Sequence, residues 1–343
     1  MTDSRSGAIP SQSAVPQGHG GLLRKEHVVQ SEPQSHVGSR DSSTDGNRGP
    51  APRRHPFRGA SIDLFYLPAV ILLVVFIIYP LLSGIELSLT NWDGYNEVKS
   101  FVGLANYRQM LTDGNFKQVV INTFIYGIGS TVLQQILGLA LALLLNAKIK
   151  GRTLIRAIIY LPALVAPVIM GIMYYFVFQY QQGALNAVMS AMGLQKVAWF
   201  NNAGFSVGII VLVNSIQFVG VSMIIYLAGL QTMDQQVVEA AEVDGASGWK
   251  KFWNITLPLL APSFTTSVVL NLIGGLKLYD MVKVLTGGGP GYSTNSISTY
   301  IGTIYFDNQA AGYASAIGVF LFVLIAIVTW LVNKGLAKLD WEA

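Results

Sequence analysis

Long apolar runs separated by short polar connectors dominate the chain from residue 64 onward. Residues 64–85 carry no charge between Asp63 and Glu86, and 119–145 lie uncharged between Lys117 and Lys148. Residues 158–178 and 207–230 divide one charge-poor region around a polar connector at 179–205. A fifth run extends from Pro262 to about residue 285, and a sixth covers 314–332. A helix needs about 20 mostly apolar residues to cross the hydrocarbon layer, and its backbone must bond internally because lipid offers no partners. The pattern predicts an all-α membrane protein with six transmembrane helices.

One polar stretch breaks this regime. VVEAAEVDGASGWKKFWNITLPLLAP, residues 237–262, sits between the fourth and fifth runs. Asp234 is placed to cap a helix, 235–243 are mostly good helix formers, and Gly245 falls where a left-handed C-cap belongs. A second short helix starts near Ser247 and ends at Pro258, where the chain turns back into lipid. By its physics alone this is an amphipathic segment at the membrane surface, bent at Gly245.

Composition separates the chain into two materials. Charged residues make up 12% of the 343, about half the share usual in soluble domains. Of the 40 charged residues 13 fall within residues 1–60, and 1–56 hold no Phe, Trp or Tyr. Such a segment cannot bury enough apolar surface to offset chain entropy, so residues 1–60 are expected to be a disordered tail and 61–343 the membrane domain. The first apolar run starts too late for a secretory signal. The absence of cysteine removes disulfides, thiolate metal sites and cysteine nucleophiles. A net charge of +4 does not point to nucleic acid: Arg53, Arg54 and Arg58 immediately precede an apolar run, where basic residues face the cytoplasm and anionic lipid. Residues 147–156, with Lys148, Lys150, Arg152 and Arg156 and no acid, should also be cytoplasmic, which puts the 237–262 segment and both termini inside.

Within that segment Glu239, Ala240, Ala241, Asp244, Gly245, Ala246, Phe252, Ile255, Leu257 and Pro258 together resemble the EAA loop of ABC importer permeases. LTGGGPG at 285–291 resembles an extracytoplasmic segment of the carbohydrate-transporting members, and the likeness spans 60–343. The resemblance implies a type I ABC importer permease fold with the loop at about 232–258. It implies a permease subunit, not an enzyme, that passes a sugar, here expected to be an oligosaccharide, across the plasma membrane of a prokaryote. The implied partners are a second permease chain, two ATPase subunits that bind the ATP, and an extracytoplasmic sugar-binding protein. The chain itself is expected to hold no cofactor or metal, and its tail, outside the resemblance, to be dispensable for uptake. In this reading the loop docks on an ATPase. Small Ala240, Ala241 and Ala246 allow close packing, Gly245 the bend, and Glu239 a rim charge.

Polar residues inside spans usually face a bundle interior or a cavity. On the fourth run Asn214, Gln217 and Val221 share one face with Phe218 beside them, and on the fifth Asn271, Gly274, Gly275 and Leu278 form a matching strip. Amides can exchange hydrogen bonds with sugar hydroxyls and a ring can cover a sugar's apolar face. Equally, amides bond across spans and glycines permit close helix approach. The resemblance places the sugar on these two spans. Lys277, Asp280 and Lys283 lie near the outer end of the fifth run, the first two three apart, and are expected to pair and snorkel outward in preference to forming a proton relay, which would sit near mid-membrane. Asn122, Gln134 and Gln135 are assigned to helix packing.

Three other readings fall away. GASG at 245–248 matches the GxSG of rhomboid proteases, but all four histidines lie in the tail, leaving Ser247 no base. GGGPGYST at 287–294 resembles a phosphate loop without its lysine, and is taken as a flexible turn or a contact for a delivering protein. An ATP-independent secondary carrier, the alternative transport mechanism, would need inverted repeats or a mid-membrane ion site.

Overall fold

The structure, a computed structural model, describes residues 60–340 apart from 148. The tail, its arginines and Lys148 lie outside the described residues. Helix α1 (Tyr66–Ser88) is followed by the short α2 (Ala105–Thr112) and by α3 (Gly114–Asn146). Helices α4 (Arg152–Leu164) and α5 (Pro167–Phe178) meet at 98°, and α6 (Ala184–Ala191) leads into α7 (Ala203–Thr232). The polar segment forms α8 (Gln235–Val243) and α9 (Gly248–Leu259), and α9 meets α10 (Ala261–Leu276) at 68°. Helices α11 (Asp280–Leu285), α12 (Ile297–Gly302) and α13 (Ala311–Asp340) complete the described chain. Among the described residues four helices, α1, α3, α7 and α13, are long and apolar enough to cross a membrane, and each bent pair counted as one span brings the number to six.

The third span is not the continuous helix that its composition suggested. Val165 and Ala166 are extended, as the residue before Pro167 is driven to be, and the helix restarts at the proline. The fifth span is also interrupted: α10 ends at Leu276 and Lys277–Tyr279 separate it from α11.

Helix α7 is the centre of the bundle, with 56% of its apolar window buried, whereas none of that of α1 is. Phe76 and Ile77 on α1 are 70% and 62% exposed, a surface suited to lipid or another subunit. In lipid the hydrophobic effect does not drive helices together, so close packing and interhelical hydrogen bonds must. Gly275 shows the packing: a Cβ there would stand 2.8 Å from the Gly127 Cα, so α10 and α3 touch backbone to backbone.

The 287–294 segment is held in place. Asn122 on α3 donates to the carbonyls of Ser293 and Asn295 at 2.8 and 3.1 Å, and the Tyr126 hydroxyl donates to the Thr294 carbonyl at 2.7 Å. Thr294 and Asn295 are buried, so α3 pins the end of the expected turn, while Gly287, Pro290 and Gly291 stay exposed, as either a turn or a docking contact would have them. Next to it, Asp113 accepts from the hydroxyls of Tyr300 and Tyr313 at 2.6 and 2.8 Å.

Candidate substrate cavity and coupling segment

A cavity of about 430 Å³ opens between α3, α5, α7 and α10. Asn214, Phe218 and Val221 line it from α7, Asn271, Gly274 and Gly275 from α10. The interruption after α10 adds Lys277, Leu278 and Tyr279, and the start of α11 adds Asp280. A larger hollow of about 730 Å³, lined by Tyr175, Trp199, Phe200 and Pro290 among others, lies at the connector end of α5 and α7.

The sequence-selected residues divide between lining and scaffolding. Asn214 is 3% exposed, and its amide forms no side-chain hydrogen bond among the described residues. Asn271 lines the cavity while its amide donates to the Ser222 hydroxyl at 2.7 Å and the Ser267 carbonyl at 2.9 Å, so it bonds between helices at the cavity wall. Gly274 has open space where a Cβ would stand, whereas Gly275 is closed against α3. Gln217 departs from the strip. It is fully buried off the cavity, and its amide donates to the Val165 carbonyl at 3.0 Å, in the break between α4 and α5. That bend brings a carbonyl without a helical partner to Gln217, which sequence spacing alone cannot show.

Lys277 and Asp280 also depart from expectation. Among the described residues the only ion pair is Lys251–Glu242. The helix ends at Leu276, so their three-residue spacing is not helical, and the two charges line the cavity separately. The break is itself held: the Ser296 hydroxyl donates to the freed Leu278 carbonyl at 2.6 Å. Among residues assigned to packing, Asn122 and Gln135 do bond across elements, Gln135 accepting from Tyr226. Gln134 donates to the Asn214 carbonyl at 3.1 Å but lines the cavity too.

The polar segment sits at the opposite end of α7 from the 287–294 loop. The Asp234 carboxylate accepts from the Gln236 amide at 2.8 Å and caps α8. At the other end Gly245 is left-handed at φ +76°, with Gly245 N donating to Glu242 O and Ala246 N to Ala241 O, the pair of bonds that closes a helix through a glycine. Lys251 pairs with Glu242 across the turn and ties α9 to α8. Glu239, Ala240, Asp244 and Gly245 are exposed, Ala241 is buried, and Ala246, Phe252, Ile255, Leu257 and Pro258 are half-buried. The segment presents small and acidic groups outward together with Val243, Trp249 and Trp253, while Ala241, Phe252, Ile255, Leu257 and Pro258 are wholly or partly covered.

Comparison with known proteins bears on the chain as a whole. Residues 134–334 match the family described as the binding-protein-dependent transport system inner membrane component. A multiple sugar-binding transport system permease protein of Streptococcus mutans is 36% identical over 272 residues, 79% of this chain and 93% of that one. A trehalose/maltose transport system permease protein of Thermococcus litoralis is 35% identical over 266 residues, 78% of this chain and 90% of that one. A bacterial ABC transporter for import of the acidic polysaccharide alginate has the same fold, with a TM-score of 0.72 at 23% identity over 82% of this chain and 96% of that one.

Proposed function

Because the chain belongs to the family of binding-protein-dependent transport system inner membrane components, we propose that it is the permease subunit of an ATP-driven importer of sugars, an oligosaccharide in particular. The observation that carries this reading is the cavity between α3, α7 and α10, where Asn214, Asn271 and Phe218 offer amides and a ring to one ligand. Sugars need that combination, because their hydroxyls require partners and their ring faces are apolar. Relatives that transport multiple sugars, trehalose or maltose, and arabinooligosaccharides support the substrate class.

The α8–α9 segment is the ATPase contact in this reading. A separate ATPase subunit binds ATP, and its closure pushes on Glu239, Ala240, Asp244 and Gly245, which face away from the bundle. Ala241, Ala246, Phe252, Leu257 and Pro258 carry the displacement toward α10, because α9 continues into it through the 68° bend. At the other end a sugar-binding protein delivers its cargo, supported by the alginate transporter, whose structure includes a pentasaccharide-bound periplasmic protein. A second permease chain completes the pathway, and both termini face the cytoplasm of a prokaryote. The secondary-carrier alternative lacks support, since the family is defined by dependence on a binding protein.

Deleting the gene and measuring radiolabelled uptake across a panel of mono- and oligosaccharides tests this directly. The expected result is loss of uptake of one sugar class, restored by the intact gene. Restored uptake that follows the proton gradient and ignores ATP depletion would refute it.

A further inference from the structure

Among the described residues, one buried polar atom on a residue that lines the cavity has no partner. Gln134 lies near the middle of α3, is 1% exposed, and its amide nitrogen is committed to the Asn214 carbonyl at 3.1 Å. Its amide oxygen is buried and makes no hydrogen bond among the described residues. Ser130, Thr131 and Gln135 on the same helix also have unpartnered buried atoms, but of these four only Gln134 lines the cavity. A buried acceptor without a donor is destabilising, and it is retained where something else supplies the donor. The fixed nitrogen orients the amide, leaving the oxygen as the free end. Asn214, Phe218 and Asn271 line the same cavity.

We infer that Gln134 is a third-helix contact to the transported sugar, its side-chain oxygen accepting a hydrogen bond from a sugar hydroxyl while its nitrogen holds α7 in register. This rests on the cavity being the sugar site. The pathway then takes a specificity-determining group from α3 in addition to α7 and α10, and selects for a hydroxyl at the position that reaches Gln134. A deoxy analogue at that position would leave the acceptor unpaired.

The chain contains no cysteine, so single replacements report on single positions. Gln134→Cys, Asn214→Cys and Gln135→Cys are each introduced into the assembled transporter in membrane vesicles and treated with a small methanethiosulfonate reagent. The reaction is repeated with the transported member of a panel of maltose, trehalose, maltotriose and arabinooligosaccharides at saturation. The expected result is labelling at 134 and 214 that sugar slows at both, with Gln135→Cys, whose native side chain bonds Tyr226 off the cavity, unreactive. Protection at 214 without protection at 134, or no labelling at 134, overturns the assignment and leaves water as the partner of the Gln134 oxygen. Protection at neither position means that the cavity is not the sugar site, and this inference falls with it. Gln134→Met keeps the length and removes the acceptor together with the amide donor to the Asn214 carbonyl. It should raise the half-saturating sugar concentration for uptake about five- to tenfold. A lower maximal rate at unchanged half-saturation would mark a structural role and refute the contact.

Discussion

The side-chain amide of Gln217 donates to the backbone carbonyl of Val165 at 3.0 Å, joining the middle of α7 to the break between α4 and α5. The 98° bend at that break leaves the Val165 carbonyl without a helical donor, and Gln217 supplies it.

Gln217→Leu should therefore act on stability. It removes one hydrogen bond, but it also removes the unpartnered Gln217 carbonyl oxygen, so the expected loss is near the low end for such a change, about 1 kcal/mol. Thermal unfolding of the detergent-purified complex reads it as a lower Tm. A changed sugar preference at unchanged Tm would place Gln217 in the substrate path and contradict the assignment.

The neighbouring glycines of α10 should separate folding from transport. At Gly275 an added methyl meets the Gly127 Cα at 2.8 Å, so Gly275→Ala must push α10 off α3, at a cost of roughly 1–3 kcal/mol. At Gly274 the same methyl enters open space beside the cavity, so Gly274→Ala should assemble normally and alter the concentration dependence of uptake. Equal yields of assembled complex from the two variants would show that the α3–α10 contact is not limiting.

A Cβ added at Gly245 would meet nothing within 4 Å, so the constraint there is backbone conformation at φ +76° and not space. Gly245→Val forces a β-branched residue into the left-handed region, at about 1–2 kcal/mol or more, whereas Gly245→Asn is much better tolerated there. Substrate-stimulated ATP hydrolysis by the assembled transporter should fall strongly for the valine variant and little for asparagine. Indistinguishable coupling in the two would count against the bent segment as the ATPase contact.

Asp113 sets a pH limit on the loop-bearing end. Burial pushes its carboxyl up, but the hydrogen bonds from Tyr300 and Tyr313 and from the backbone at Asn115 and Phe116 outweigh it and hold the pKa below the ordinary 3.8. A carboxylate whose folded pKa is depressed adds stability above its unfolded pKa, and that stability is lost as pH falls through the folded value. The intact complex should therefore show no Asp113-dependent change in Tm around neutral pH and lose this contribution only below about pH 4. Asp113→Ala should lower Tm at neutral pH and narrow its difference from the parent in acid. A constant difference across both conditions would mean that the carboxylate charge plays no part.

The locally written features of this chain are legible in the order of its residues. Apolar length fixes which runs can cross lipid, and the left-handed turn at Gly245 follows from a glycine just past a helix of known start. The family resemblance rests on the same local spacing, from Glu239 to Pro258. Even the choice of Asn214, Phe218, Val221 and Asn271 comes from periodicity, since each remains inside an unbroken helix.

Two inferences failed for different reasons, one by extending a helix through a break and one by treating a whole helix face as cavity wall. Lys277 and Asp280 have helical spacing only if α10 continues, and it stops at Leu276. Gln217 shares a face with Asn214 within three residues, yet the cavity touches only part of that face and the freed Val165 carbonyl claims the rest. Residue order was enough for the spans, the bent polar segment and the family, because hydropathy, capping and turn chemistry act over a few neighbouring residues. Which polar groups scaffold the bundle and which meet the cavity depended on how the helices pack. In lipid a freed carbonyl takes its donor from whichever helix lies beside it, and that neighbour is set by contacts between segments far apart in the chain.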